Sequence, residues 1–415
     1  YWEGGAQVLA PHDKGIIDEV NKVTIDDVKF QGNKELIDII GGEMDWDYVS
    51  AVKEAMVDQD VILRQKDLNI VYSPMHGTGR VIVPLCLRSW GFQNIHVVPE
   101  QRVIDGNFPT VVSPNPENAE AMTLGMKLGT KLNADLVIAS DPDADRIGLV
   151  IRDNNGEYVL INGNQIVLIF LNYLMTRNAE LGKLTGNEYV VKTIVTTETI
   201  KSIAEAQGIK MYDCFTGFKW IANVMRENEG KARYLGGGEE SYGFLAEDFV
   251  RDKDAVSACS LLAEICAWAK DNGKTLYDVL MDIYKEYGLS ANKTINVVKP
   301  GKSGADEIKA MMENFRANRP AELAGSKVVC TKDFGTLTAY DAHGNATPLD
   351  MPEASNVLQW YTEDGTKVSV RPSGTEPKIK FYMEVKGAMK CACEYEAARE
   401  EALKKVETVK ASLGI

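Results

Sequence analysis

Short apolar runs alternate with amphipathic stretches of helical spacing between residues 63 and 300. The apolar runs are rich in valine, isoleucine and leucine, as buried strands are, and the amphipathic stretches repeat apolar residues every three or four positions. This alternation predicts βαβ units, and therefore α/β domains whose sheets are mostly parallel. The predicted strands are residues 68–72, 95–98, 134–140, 147–151, 189–195, 210–214 and 233–235, and the predicted helices include residues 81–90, 119–132 and 198–207.

The pattern changes after residue 300. Strand-like runs are now separated by turns instead of helices, and one long amphipathic stretch closes the chain. This arrangement predicts an α+β domain with an antiparallel sheet and helices on one face. The predicted strands are residues 327–330, 357–361, 367–370 and 379–385, and the predicted closing helix spans residues 394–413.

The first 62 residues show two helical patterns but too little apolar sequence for a core of their own. We therefore expect the end of a domain whose beginning is absent, followed by two complete three-layer α/β domains with mixed sheets and the α+β domain. The predicted boundaries are 1–62, 63–178, 179–300 and 301–415.

Three carboxylates follow the apolar run of residues 134–140 at alternate positions, namely Asp141, Asp143 and Asp145. Open α/β sheets bind ligands at the carboxyl ends of their strands. Alternate residues of an extended loop can converge on one hard cation, and carboxylate oxygens suit Mg²⁺. Arg146 adds a guanidinium group suited to a phosphate. This turn therefore predicts a magnesium site.

An acidic turn of this kind has three other interpretations. An EF-hand loop is excluded because its sixth and twelfth positions would be Arg146 and Arg152 instead of glycine and glutamate. A haloacid-dehalogenase-type phosphatase would have threonine or valine where this chain has Asp145. A solvated acidic turn without a ligand remains an alternative.

Two more loops combine glycines with polar residues. Residues 236–243 offer two carboxylates and a hydroxyl among glycines, which suits the hydroxyl groups of a sugar, although a flexible surface loop is the alternative. Residues 371–378 offer Arg, Lys, two hydroxyls and a glycine, which suit a phosphate, although an ordinary hairpin would also use such residues. His76, in a glycine turn, either orients a ligand or caps a helix.

The composition limits the function classes. The 415 residues carry a net charge of -14, which argues against a nucleic-acid-binding surface. No apolar run approaches the length of a membrane-spanning helix. Seven cysteines show no zinc-binding spacing, so we expect a protein of the reducing cytoplasm.

Taken together, these loops resemble those of the α-D-phosphohexomutase superfamily, the phosphoglucomutases and phosphomannomutases, and the resemblance covers essentially the whole chain. Residues 141–146 look like the metal loop of that family, residues 238–243 like its sugar-recognition loop and residues 371–375 like its phosphate-binding loop. The resemblance implies a fold of four domains around a central cleft.

The resemblance also implies roles for individual residues. The Mg²⁺ ligands would be Asp141, Asp143 and Asp145, and the catalytic residues present would be Arg146 and Lys253. The implied substrate-binding residues are Thr216, Gly217, Glu239, Ser241, Arg371, Ser373, Gly374 and Thr375.

The implied activity is the interconversion of hexose 1-phosphate and hexose 6-phosphate. The family uses a phosphoserine, a bisphosphate intermediate and glucose 1,6-bisphosphate as activator. Its serine lies in a Thr-Ala-Ser-His-Asn-Pro loop that this sequence does not contain, and residues 1–5 resemble the segment shortly after that loop. We therefore expect a phosphohexomutase without its first residues, inactive as it stands.

Several alternatives stay open at this point. The substrate could be a mannose or pentose phosphate, the chain could be a non-catalytic sugar-phosphate-binding fragment, or the acidic turn could serve a phosphatase. The expected partner is a hexose phosphate, with no nucleic acid and no membrane, and the sequence does not predict an oligomeric state.

Overall fold

The computed structural model describes residues 1–374 and 376–415, with the side chain of Lys302 outside the described part. The chain forms two compact units. The first comprises residues 1–196 and 200–280, and the second comprises residues 197–199 and 281–415.

The first unit begins with five α-helices and a five-stranded sheet. Its first helices are α1 (His12–Val20), α2 (Gly42–Glu54), α3 (Gln59–Arg64), α4 (Gly79–Trp90) and α5 (Ala119–Leu132). The strands of the sheet are β1 (Ile70–Ser73), β2 (Ile95–Val97), β3 (Leu136–Ser140), β4 (Ile147–Arg152) and β5 (Tyr158–Ile161). The strand order is β2-β1-β3-β4-β5, in which β2, β1 and β3 are parallel and β4 and β5 are antiparallel.

The central strands β1 and β3 of this sheet are buried on both faces. Alternate residues of a strand point to opposite faces, and all residues of these two strands are buried. Val71 and Val137 lie opposite each other and pack against Met122 of α5. Their neighbours Tyr72 and Ile138 are also fully buried. Continuous apolar strands of this kind are typical of sheets covered by helices on each side.

A second mixed sheet completes the first unit. Its strands are β6 (Glu188–Thr193), β7 (Lys210–Cys214), β8 (Arg233–Gly238) and β9 (Phe244–Leu245), in the order β7-β6-β8-β9. Pairs β7–β6 and β6–β8 are parallel, and β8–β9 is antiparallel. The helices in this part of the chain are α6 (Gly163–Glu180), α7 (Thr199–Ala206), α8 (Phe218–Asn228), α9 (Ala255–Asp271) and α10 (Leu276–Tyr287), and the last residues of α10 belong to the second unit.

The glycines at 236–238 differ from the prediction, because they extend strand β8 instead of starting a loop. A Cβ on Gly236 would lie 2.8 Å from Leu174 of α6, and one on Gly238 would lie 2.8 Å from Val167. Helix α6 therefore packs closely on this strand, and glycine is required for the packing instead of for a flexible turn.

The second unit contains an antiparallel sheet, as predicted. Its strands are β10 (Leu289–Val298), β11 (Glu322–Leu323), β12 (Ser326–Asp333), β13 (Thr338–Asp341), β14 (Ala346–Pro348), β15 (Leu358–Thr362), β16 (Lys367–Pro372) and β17 (Lys378–Gly387). The order is β10-β17-β16-β15-β12-β13-β14, with β11 paired to β12. Helices α11 (Lys302–Ala317) and α12 (Tyr395–Ser412) share one core with Trp360 and Phe381 of the sheet.

Two features of this unit were not predicted. Strand β10 precedes the predicted boundary at residue 300, yet it pairs with β17 along its whole length. The boundaries of the four predicted domains stay a prediction. Cys391 and Cys393 form a disulfide before α12. No helix among the described residues is long and apolar enough to cross a membrane.

Candidate functional site

The three carboxylates of the acidic turn converge at the end of β3. Each of Asp141, Asp143 and Asp145 offers an oxygen within 4.8 Å of the others. Asp141 is buried, Asp145 is half-buried and Asp143 is exposed. We refer to residues 141–146 as the metal turn, because one cation could contact all three groups.

Asp141 itself shapes the metal turn. Its Oδ1 accepts hydrogen bonds from the backbone N–H groups of Asp145 at 3.0 Å and Arg146 at 2.9 Å. Ala144 adopts a left-handed conformation, with φ of 60°, which lets the chain reverse between them. The loop therefore folds around one carboxylate, whose other oxygen remains available to a cation.

The electrostatics of the metal turn favour a divalent cation. Burial, together with the charges of Asp145 and Asp143, raises the pKa of Asp141 to about 7. A cation would relieve this repulsion, so the residues present fit Mg²⁺. Two side chains already supply positive charge: Nε of Arg146 lies 3.8 Å from Asp145, and Nζ of Lys253 lies 3.0 Å from it.

The glycine turn after β1 packs against the metal turn. A Cβ on Gly77 would lie 2.2 Å from Cα of Pro142, so only glycine allows this approach. Thr78 uses the proximity, because its backbone N–H donates to the carbonyl of Pro142 at 2.8 Å. These two contacts fix the position of the metal turn relative to β1. The glycine-containing turn of residues 74–79, which follows β1, was the only sequence signal for them.

His76 holds a connecting loop instead of a ligand. Its Nδ1 lies 2.7 Å from the carbonyl oxygen of Val103, and its Nε2 lies 2.8 Å from Oγ1 of Thr110. Both ring nitrogens therefore have protein partners. His76 therefore has a structural role in this structure.

Residues 239–243, which we call the glutamate loop, pair directly with the metal turn. Arg146 and Gly243 form an antiparallel bridge, and the N–H of Ile147 donates to the carbonyl of Tyr242 at 3.1 Å. A Cβ on Gly163 would lie 2.0 Å from the carbonyl oxygen of this loop at Glu240. The two predicted loops are therefore one continuous surface of the first unit.

The two glutamates of this loop differ in their surroundings. Oε2 of Glu240 accepts hydrogen bonds from the hydroxyls of Thr193 at 3.1 Å and Thr196 at 3.2 Å. Glu239 is 7% exposed, and burial together with the charge of Glu240 raises its pKa to about 7. The hydroxyl of Ser241 donates to Glu239. Two threonine hydroxyls therefore anchor Glu240, whereas Glu239 is the more buried of the two carboxyl groups.

Lys253 joins the loops of the first unit. Its side chain passes over Gly243, where a Cβ would lie 2.5 Å from Cδ of the lysine. Its Nζ lies 3.3 Å from Asp252 and 5.8 Å from the ring centre of Phe218. Although burial lowers the pKa of Lys253, its hydrogen bond to Asp145 and the surrounding carboxylates outweigh that effect and raise it. The lysine is therefore a fixed positive charge.

The predicted residues Thr216 and Gly217 directly precede Phe218, the first residue of α8. Gly217 has φ of 105°, a conformation that favours glycine. The first unit thus assembles the predicted residues Asp141, Asp143, Asp145, Arg146, Thr216, Gly217, Glu239, Ser241 and Lys253 around neighbouring loops.

The remaining predicted residues lie on the second unit, in the hairpin between β16 and β17. Arg371 stands directly opposite Lys380, and like charges in such a pair repel each other. The N–H of Ser373 donates to the carbonyl of Lys378 at 2.8 Å, which closes the hairpin. Ser373 and Gly374 line a cavity of about 850 Å³. Lys378 pairs with Glu376, and Arg371 and Lys380 give the hairpin a positive charge that suits an anion. The predicted residue Thr375 lies outside the described residues.

Comparison with known protein families gives three matches in chain order. Residues 46–156 match "Phosphoglucomutase/phosphomannomutase, alpha/beta/alpha domain II", residues 162–287 match domain III, and residues 307–406 match the C-terminal domain. The chain belongs to the phosphoglucomutase/phosphomannomutase family.

Relatives within this family are named phosphoglucomutase. The enzyme of Staphylococcus haemolyticus is 37% identical over 356 residues, which are 85% of this chain and 63% of the relative. That of Staphylococcus aureus strain N315 is 36% identical over 363 residues, which are 86% of this chain and 65% of the relative. The chain therefore spans somewhat less than two thirds of the length of these relatives.

Solved structures of the family share the fold. Parafusin, a phosphoglucomutase from Paramecium in an open form, gives a TM-score of 0.59 at 16% identity, over 88% of this chain and 63% of that one. A phosphoglucomutase/phosphomannomutase family protein from Burkholderia thailandensis gives 0.58 at 18% identity, over 88% and 65%. These similarities confirm the predicted fold class of mixed α/β sheets and an antiparallel C-terminal sheet.

The close contact at Gly77 can be tested by adding one methyl group. We expect Gly77→Ala to lower the free energy of unfolding by about 1–3 kcal/mol, because the Cβ would overlap the backbone of Pro142. Gly106→Ala is the matched control, since a Cβ there meets nothing within 4 Å. Urea unfolding followed by circular dichroism would measure both, and equal midpoints would contradict the contact.

The burial of Glu239 predicts a pH dependence. Folding raises its pKa from 4.5 to about 7, so between these values the folded protein holds a proton that the unfolded chain has lost. Stability from this group therefore falls as the pH rises through that window. Glu239→Gln stays neutral, so its stability relative to the parent should increase by about 1–3 kcal/mol from pH 4.5 to pH 7. A constant difference across that range of urea titrations would rule out the raised pKa.

Proposed function

We propose that this chain carries the metal, sugar and phosphate sites of a phosphoglucomutase-type enzyme of the cytoplasm. Such an enzyme interconverts hexose 1-phosphate and hexose 6-phosphate through a phosphoserine and a bisphosphate intermediate, with glucose 1,6-bisphosphate as activator. The observation that carries the proposal is the direct pairing of the metal turn with the glutamate loop, bridged by Lys253. The names of the relatives support the same activity.

The metal turn is proposed to hold Mg²⁺ on Asp141, Asp143 and Asp145. A Mg²⁺ ion bound there would neutralise charge that develops on a transferred phosphoryl group. Arg146 and Lys253 would hold the oxygens of that phosphoryl group, because both cations already border the turn.

The substrate is proposed to contact hydroxyl-binding and phosphate-binding groups. Glu239 and Ser241 would bind sugar hydroxyls, since a carboxyl group and a hydroxyl can accept and donate hydrogen bonds there. Thr216 and Gly217 would add backbone and hydroxyl contacts. The hairpin residues Arg371, Ser373, Gly374 and Thr375 would hold the phosphate that does not react.

Phosphomannomutase and phosphopentomutase activity are the nearest alternatives, because Glu239 and Ser241 would contact hydroxyls that several sugars share. A non-catalytic sugar-phosphate-binding role is a further alternative. Comparing turnover of glucose, mannose and ribose 1-phosphates by the complete enzyme would separate them.

The metal assignment predicts a specific loss of cation binding. We expect Asp143→Asn to weaken Mg²⁺ or Mn²⁺ binding by at least about tenfold, because one of three converging carboxylates loses its charge. Asp67→Asn, at an exposed carboxylate outside the turn, is the control. Calorimetric titration with Mn²⁺ would measure both, and equal affinities would refute the metal site.

The phosphate assignment predicts a loss that is common to both substrates. We expect Arg371→Ala to weaken binding of glucose 1-phosphate and glucose 6-phosphate alike, by about 1.5–3 kcal/mol, since each loses one charge-assisted contact. Arg399→Ala, on α12, is the control. If calorimetry found unchanged affinity for both ligands, the hairpin would not be the phosphate site.

The phosphoserine mechanism is tested by the chain itself. Residues 1–415 contain no Thr-Ala-Ser-His-Asn-Pro segment. We expect a sample of these residues alone to bind glucose 1-phosphate without forming glucose 6-phosphate in a coupled assay with Mg²⁺ and glucose 1,6-bisphosphate. Robust turnover by a sample of 45.8 kDa would place the phosphoryl acceptor within these residues and overturn this mechanism.

A further inference from the structure

A second basic site lies at the edge of the first sheet. A cavity of about 300 Å³ opens between helix α4 and the edge strand β2. Three arginines, Arg80, Arg88 and Arg102, line it. Strand β1 separates β2 from β3, the strand that leads into the metal turn.

The secondary structure places these arginines together. Residues four positions apart share one face of a helix, so Arg80, Pro84 and Arg88 form a row along α4. Arg102 follows the edge strand, and its backbone N–H donates to the carbonyl of Val98 at 3.0 Å. The row on the helix and the arginine after the strand therefore border the same cavity.

The three guanidinium groups lack carboxylate partners. Within residues 1–374 and 376–415, none of the three forms an ion pair or a side-chain hydrogen bond, and Nε of Arg80 is buried without a partner. By contrast, Arg64 of the same unit pairs with Asp271 at 2.8 Å. A chain with a net charge of -14 has enough carboxylates to pair its arginines. Three unpaired arginines around one cavity therefore indicate an anionic ligand.

The rest of the lining describes the ligand further. Val81 and Pro84 of α4 and Ile95 and Val97 of β2 form an apolar wall. A ligand that fits must bring at least two negative charges to the arginines and a short carbon framework to this wall. The cavity volume limits it to a small molecule.

We propose that this cavity, the arginine pocket, binds a small polyanion whose charges are phosphoryl or carboxylate groups. The planar guanidinium group of arginine can donate two hydrogen bonds to a phosphoryl group or to a carboxylate, so either kind of anion could bind there. The proposal is independent of the mutase function, because the pocket uses none of the residues assigned to metal or sugar phosphate.

Site-resolved protection tests the pocket directly. Phenylglyoxal modifies accessible arginines, and mass spectrometry of peptides reports the rate at each position. In separate arms with inorganic pyrophosphate and with citrate, we expect at least one anion to slow modification of both Arg88 and Arg102 by about fivefold or more, while Arg64 keeps its rate. Protection by pyrophosphate alone would assign a phosphoryl ligand, and protection by citrate alone a carboxylate ligand. Absence of protection in both arms, or equal protection of Arg64, would overturn the proposal.

A double variant tests the same pocket by affinity. We expect Arg88→Gln with Arg102→Gln to weaken binding of the protecting anion by at least about tenfold at low ionic strength. The matched control is Arg64→Gln, which removes a paired surface arginine from the same unit. Both replaced arginines of the pocket are exposed, so circular dichroism should match the parent. Equal affinity of the double variant and the control would show that the pocket does not bind the anion.

Discussion

Close contact between backbones is the constraint on which the candidate site depends. Gly77 lies so near Pro142 that any side chain at this position would overlap the proline backbone. The backbone N–H of Thr78 donates to the carbonyl oxygen of Pro142. On the other side, the glutamate loop pairs with the metal turn through main-chain groups. Peptide groups held in this way do not depend on flexible side chains. The carboxylates are therefore positioned before any cation arrives, which is what catalysis by positioning requires.

The same packing accounts for the unusual electrostatics of the site. Burial raises the pKa of Asp141 and that of Glu239 to about 7 each, and the positive charges of Lys253 and Arg146 keep the pKa of Glu239 from rising further. Lys253 supplies one such charge and contacts Asp145 directly. A buried acid beside a fixed lysine responds strongly to any added cation or phosphate, because few water molecules screen the interaction.

The second unit carries a different kind of chemistry on an independent core. Its sheet buries Trp360 and Phe381 against two helices, and this core holds the hairpin that presents Arg371. The hairpin carries cationic side chains, whereas the metal turn of the first unit carries carboxylates.

The sequence alone determined the βαβ alternation, the antiparallel C-terminal sheet and the three alternating carboxylates, because each depends on residues that are close along the chain. Only the tertiary structure decided the roles that depend on distant neighbours. His76 became a structural residue because Val103 and Thr110 occupy its two ring nitrogens. Strand β10 joined the C-terminal sheet because β17 offered a free edge. Gly77 is required because Pro142 lies against it, and local sequence patterns contain no information about which backbone segments will meet across a folded sheet.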